Sequence, residues 1–197
     1  MVLQTNNMED AEQFRFNGQI YQLLLSLTGD GNGNRDLVET LALRRNNLAF
    51  VSFSDFSNLK RLDLAHNRLT SETLLKSGLN SCKQLQLLDL SHNHIVHRES
   101  VWTVVNELPM LMTLRVKGNP CFSYRNEKNR AKMRVAFLSG VVHIRSPDTL
   151  FRKLNKEIIS IQEKCVALTY AACPQEEVER LRFQMIALRL NLSEDDE

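Results

Sequence analysis

His92, His94 and His97, with His66 lying 26 residues before the first of them, are the residue types and the spacing that raise zinc binding as a possibility. Tetrahedral zinc needs ligands that converge. These three flank Asn93 and Ile95 where the chain leaves a strand, so their side chains diverge and they read as surface histidines. A second candidate is Asp30, Asn32, Asn34 and Asp36, whose alternating oxygens match the opening of a calcium loop. That match stops at Arg35, where the sharp turn needs glycine, and at Leu41, where a bidentate carboxylate would close the shell. Cys121 has no histidine at a predictable distance to activate it and reads as a small core residue. The densest basic run is Arg125, Lys128, Arg130, Lys132 and Arg134, offset only by Glu127. On a helix these side chains would be mostly exposed and able to meet phosphate or an acidic partner. The interleaved aromatics that stack bases are lacking. No catalytic constellation, metal site or cofactor site is expected.

Global charge adds little. The chain carries 25 basic and 23 acidic side chains, a net charge of +2, so no overall field draws it to nucleic acid or to an anionic membrane. With 43% hydrophobic and 24% charged residues, a packed core is expected. Cys82, Cys121, Cys165 and Cys173 are scattered without CxxC spacing and read as reduced thiols. The opening MVLQTNNMEDAEQF is polar and acidic where a signal peptide would be basic and then apolar. Apolar stretches such as Ile20 to Leu27 fall well short of the roughly 20 residues needed to span a bilayer. A soluble protein of the cytoplasm, or alternatively the nucleus, is the expectation.

The chain is organised by an internal repeat. The spacing LxxLxLxxNxL occurs as Val38, Leu41, Leu43, Asn46, Leu48, then as Leu59, Leu62, Leu64, Asn67, Leu69. It returns as Leu85, Leu88, Leu90, Asn93, Ile95 and as Leu111, Leu114, Val116, Asn119, Cys121. The asparagines lie 21, 26 and 26 residues apart. This spacing is that of leucine-rich repeats. Each LxL is then a short parallel strand with both leucines in the core, and each Asn bonds backbone where the chain turns away. Asn46, Asn67, Asn93 and Asn119 should stack into a ladder. Between strands, Ser71 to Asn80 and Glu99 to Leu108 carry helical periodicity, the latter burying Val101, Val105 and Leu108. The predicted class is α/β: a leucine-rich-repeat solenoid with a parallel concave sheet and a C-terminal helical appendage.

Solenoids need covered ends. Residues 1–36 read as an N-terminal helix or degenerate capping repeat, with Ile20, Leu23 and Leu25 on the leucine spacing but Thr28 in place of Asn. Residues 37–120 hold the four repeats and 121–146 the C-terminal cap. In that cap Asn119, Pro120, Tyr124 and Arg125 resemble the pattern of the intracellular short-repeat class, although Ile144 and Arg145 stand where Leu and Asp would close it. Residues 36–146 thus resemble the family that includes the axonemal dynein leucine-rich-repeat light chain, the leucine-rich-repeat regulatory subunit of type-one protein phosphatase and the acidic nuclear phosphoproteins. The resemblance implies a protein-binding adaptor in a cytoskeletal, ciliary or phosphatase assembly, or a nuclear factor in RNA processing or mRNA export.

Residues 147–197 are predicted to form two amphipathic helices and an acidic tail. Ser146 can cap a helix with Pro147 at its first position, and Phe151, Leu154, Ile158, Ile161, Cys165, Leu168 and Ala172 alternate spacings of 3 and 4. After Pro174, a second run comprises Val178, Leu181, Met185, Leu188 and Leu192. This pair either lies back on the open end of the solenoid or offers a seam to a partner helix or a second copy.

Outward positions of the sheet define the expected contact face. Thr40, Arg61, Leu87 and Thr113 form one column, and Ala42, Asp63, Asp89 and Arg115 the next. Arg44, Ala65, Ser91 and Lys117 follow, then Arg45, His66, His92 and Gly118. The result is a mixed patch in which Leu87 can anchor a partner while the charges orient it. The terminal helices and a convex Trp102 are the competing surfaces.

Overall fold

A computed structural model describes residues 2–4, 38–54, 56–123, 127–141, 152–170 and 179–180. The solenoid is formed. Seven strands follow one another in sequence order: β1 (Val2–Gln4), β2 (Thr40–Ala42), β3 (Arg61–Asp63), β4 (Leu87–Asp89), β5 (Thr113–Arg115), β6 (Lys153–Leu154) and β7 (Glu157–Ile158). Pairing is parallel from β1 to β6 and antiparallel between β6 and β7. Leu41, Leu62, Leu88, Leu114 and Leu154 lie in register across β2 to β6 and are buried. Framework residues of all four repeats share one core.

The asparagine ladder holds consecutive turns together. Asn67 Oδ1 accepts from the Asn46 and Leu48 backbone amides at 3.0 and 2.9 Å, while its Nδ2 donates to the carbonyls of Leu43 and Leu64 at 2.8 and 2.9 Å. Asn93 repeats the arrangement one turn on, accepting from the Leu69 amide and donating to the Leu64 and Leu90 carbonyls. Asn119 accepts from Ile95 and donates to Leu90 and Val116. Only an amide side chain has both the acceptor and the two-hydrogen donor this requires.

Repeat length decides what fills the convex side. The 21-residue step from Asn46 to Asn67 leaves no room for a helix, and Val51, Phe53 and Phe56 fill the space instead. The next step allows α1 (Ser71–Leu75), started by a capping box between Thr70 and Thr73. It ends earlier than its periodicity predicts because Gly78 takes a left-handed φ of 69°, and a 3-10 turn, Leu79–Ser81, follows. A Cβ on Gly78 would sit 2.4 Å from Ser54 Oγ. Helix α2 (Arg98–Asn106) buries Val101, Val104 and Val105.

Beside β2 runs β1, Val2–Gln4, in parallel. One terminal expectation needs correction. At the other end, the continuous helix expected from Ser146 through Ala172 is interrupted. Leu154 and Ile158 lie on β6 and β7, joined by Asn155 and Lys156 with φ of 52° and 72°. Two positive-φ residues make the tight turn whose twist suits a hairpin. Asn155 Oδ1 also accepts from the Val116 and Lys117 amides at 2.7 and 2.9 Å, so the hairpin completes an edge that a helix would leave unpaired. Helix α4 (Ile161–Tyr170) starts later, at a capping box in which Ser160 and Glu163 bond each other's backbone amides. Of the first seam, Leu154, Cys165 and Leu168 are buried against their own chain, whereas Ile158 is 72% exposed. The degenerate repeat, the calcium-like loop, Tyr124 and Arg125, residues 142–151 and the second heptad run lie outside the described residues, apart from helical Glu179 and Arg180.

The cap helix α3 (Glu127–Leu138) corrects a further expectation. Arg134 is not a solvated surface cation but is buried. Its guanidinium grips Glu163 through Nε and Nη2 at 2.6 and 3.2 Å, Glu157 through Nη1 at 2.8 Å and the Leu154 carbonyl at 3.1 Å. Arg130 also pairs with Glu157. One arginine therefore ties α3 to the hairpin and to α4. Burial pushes the Glu163 pKa up, but bonds from Arg134 and Ser160 outweigh it and hold the carboxyl below its ordinary 4.5. Trp102, expected as a free convex contact, is half-buried under the same cap. It donates to the Phe137 carbonyl at 2.8 Å and lies where a Cβ on Gly140 would collide with its ring.

Replacing Asn93 by Ala strands buried carbonyls and an amide, and should lower unfolding stability by about 3 kcal/mol in urea titrations. Arg134→Met leaves Glu163 without its arginine partner and Glu157 with Arg130 alone, and should cost about 3 kcal/mol at pH 7. A depressed carboxyl pKa contributes stability above pH 4.5 that is lost as pH falls through the folded value. The wild-type advantage over Arg134→Met should therefore shrink in urea titrations below pH 4.5.

Candidate protein-binding face

Outward side chains of β2 to β5 and the residues just after them form the concave surface. The row next to the asparagines adopts a left-handed backbone: Arg45, His66 and His92 have φ of 59°, 57° and 55°, and Gly118 has 80°. Each of the first three donates its amide across to the next turn, to Ala65, Ser91 and Lys117 carbonyls respectively. Stacking follows from this repetition. The rings of His66 and His92 lie 4.3 Å apart and nearly parallel, at 12°. The other side of His92 rests on Gly118, where a Cβ would come within 2.4 Å of Nδ1. Burial lowers the His66 pKa below 6.5, and the cationic neighbours His92, Arg44 and Arg45 lower it further against the opposing pull of Asp89.

The expected contact residues divide into two sets. Arg44, Arg45, Arg61, His92 and Lys117 are exposed, and Leu87, Asp63, His66 and Arg115 are partly so. Asp89 is only 3% exposed, and Ala65 is fully buried, so neither belongs to the solvent-facing surface. Asp89 Oδ1 accepts from the Ser91 amide, and its Oδ2 pairs with Arg115 Nη1 at 3.0 Å. Asp63 holds the Ala65 amide in the same way. These aspartates shape the turn after each strand, a role hidden in the sequence because their partners are backbone amides two residues on.

Around the Asp89–Arg115 pair lies a cleft of about 260 Å³, lined also by Arg44, His92, Lys117 and Lys156. Lys156 was not expected there, because its approach depends on the hairpin. Metal chemistry gains nothing from the geometry: His66 and His92 stack face to face, and among the described residues no three His, Cys, Asp or Glu side chains group as metal ligands. Cys82 and Cys121 are buried, which pushes their thiols up to about 11 and leaves them poor nucleophiles. Among the described residues no helix is long and apolar enough to cross a membrane.

The Leucine Rich Repeat family model matches residues 58–82, which span β3, Asn67 and α1. That stretch is one leucine-rich repeat. No curated protein matches the chain. Among solved structures, the leiomodin-1 actin-binding site 2 superposes with a TM-score of 0.41 and 14% identity, over 79% of this chain and 88% of that one. The Mex67:Mtr2 subunits of Chaetomium superpose with a TM-score of 0.36 and 16% identity, over 80% of this chain and 78% of that one.

In an NMR titration of the histidine ring protons, His66 should show a pKa below 6.5, and Arg44→Ala should raise it by removing a neighbouring cation. Because the folded pKa is the lower one, the neutral stack contributes stability above pH 6.5 that declines as pH falls below it. An unshifted His66 in both proteins would contradict the stacked arrangement.

Proposed function

We propose that this chain is a non-enzymatic adaptor that captures a protein partner on the concave face of its solenoid. The reading rests chiefly on one observation: Arg44, Arg45, Arg61 and Lys117 are exposed on a backbone fixed by the ladder, and among the described residues none of them has a carboxylate partner. Rigid presentation of unpaired charge favours selective association over folding stability. Leu87, partly exposed between Arg61 and Thr113 in the same register, supplies an apolar anchor. A second contact falls to the heptad run Val178 to Leu192, since Leu154, Cys165 and Leu168 of the first run are already buried within the chain. The family resemblance supports a cytoplasmic setting in a cytoskeletal, ciliary or phosphatase assembly, with a nuclear RNA-processing complex as the alternative.

Affinity capture from native cells tests this. The triple variant Arg44→Glu, Arg45→Glu, Arg61→Glu should lose at least tenfold of the partner recovered by wild type, whereas Lys132→Glu on the exposed side of α3 should retain it. Undiminished capture by the triple variant would exclude the concave face. Nuclease-sensitive recovery would favour the nuclear alternative.

A further inference from the structure

We infer that the concave face is a receptor for an extended, carboxylate-rich peptide, about six residues of which lie across the strands from β2 to β6. This names the partner class for the adaptor reading and rests on it. Arg44, Arg115, Lys117 and Lys156 line the cleft against a single carboxylate, Asp89, which Arg115 already engages. The surface that appears mixed in the sequence is thus locally cationic, because one of its two aspartates is buried and the hairpin adds Lys156.

Arg115 supplies a second, independent observation. Its Nε is buried and is the one such side-chain atom among the described residues without a hydrogen-bond partner. A buried N–H left without an acceptor costs about 1–3 kcal/mol. A guanidinium fork has room for more than one carboxylate, and Asp89 occupies Nη1, leaving Nη2 for an incoming acceptor. Ser91 and Asn155 line the same cleft and offer neutral polar groups beside it.

Size and ring chemistry favour a peptide over nucleic acid. Arg44 follows β2 and Lys156 follows β6, four strand intervals apart, or roughly 19 Å at the usual strand spacing. An extended peptide covers that with about six residues at ~3.3 Å each. Single-stranded nucleic acid needs open aromatic faces for its bases. The aromatic rings here are His66 and His92, which cover one another, and His92 is backed by Gly118. Bound carboxylates would also favour protonation of His66, so affinity should rise as pH falls from 7.5 to 6.

The test is fluorescence anisotropy on the full chain with three labelled ten-residue probes: alternating Asp and Ser, alternating Asn and Ser, and oligouridine. The acidic peptide should bind, weaken in added salt, and tighten at least twofold between pH 7.5 and 6, while the Asn peptide shows no binding. The double variant Lys117→Glu, Lys156→Glu should lose at least tenfold in affinity with an unchanged circular dichroism spectrum. Lys132→Glu, on the exposed side of α3 and away from the concave face, should lose less than threefold. Failure of the acidic peptide to bind, indifference to the double variant, or tighter binding of oligouridine overturns the inference. If the peptide fails while the concave triple variant still releases its partner from cells, the adaptor reading stands and only the peptide assignment falls.

Discussion

The bond from a buried asparagine amide to the backbone of the preceding turn is the constraint on which this molecule depends. A solenoid has no long-range sheet closure, so each turn is fixed only by its neighbours. Leucines supply cohesion without direction. Asn67, Asn93 and Asn119 supply direction, each fastening carbonyls and an amide from two successive turns. Their geometry puts the following strand in register and forces the left-handed residue just before each asparagine. The concave surface inherits its rigidity from that arrangement.

Much of the fold is legible in the sequence, because framework positions are read by burial and burial leaves a periodic trace. Leu41, Leu62, Leu88 and Leu114 needed only their spacing to be placed. The same method fails for Leu154 and Ile158. Their separation fits a heptad as well as a hairpin, and the distinction lies in Asn155 and Lys156, two residues able to enter left-handed conformation. The pair S-x-x-E at Ser160 and Glu163 was the available sign that the helix begins there.

The candidate face was legible as positions and less so as electrostatics. Arg44, Arg61 and Lys117 point outward as spacing requires. Asp89 occupies an equally outward column yet is buried, because its oxygens reach the Ser91 amide and the next turn's arginine. Arg134 is the converse case: a member of a basic run whose partners, Glu157 and Glu163, lie more than 20 residues away. Local sequence contains no record of such distant pairing. Charge type alone therefore cannot separate a cation that binds outward from one that holds the chain together.

The reversal of direction at β7 has a consequence for growth of the sheet. A stack of parallel strands is open-ended, and its last edge offers the same hydrogen-bond pattern that every earlier edge has offered. Doubling back through Asn155 and Lys156 replaces that edge with a two-residue strand of opposite polarity. A following parallel turn, whether from this polypeptide or from a neighbour, meets a mismatched and very short template. Among the described residues the hairpin thus closes the C-terminal edge of the parallel stack, and it does so with the residues that deliver Lys156 to the cleft.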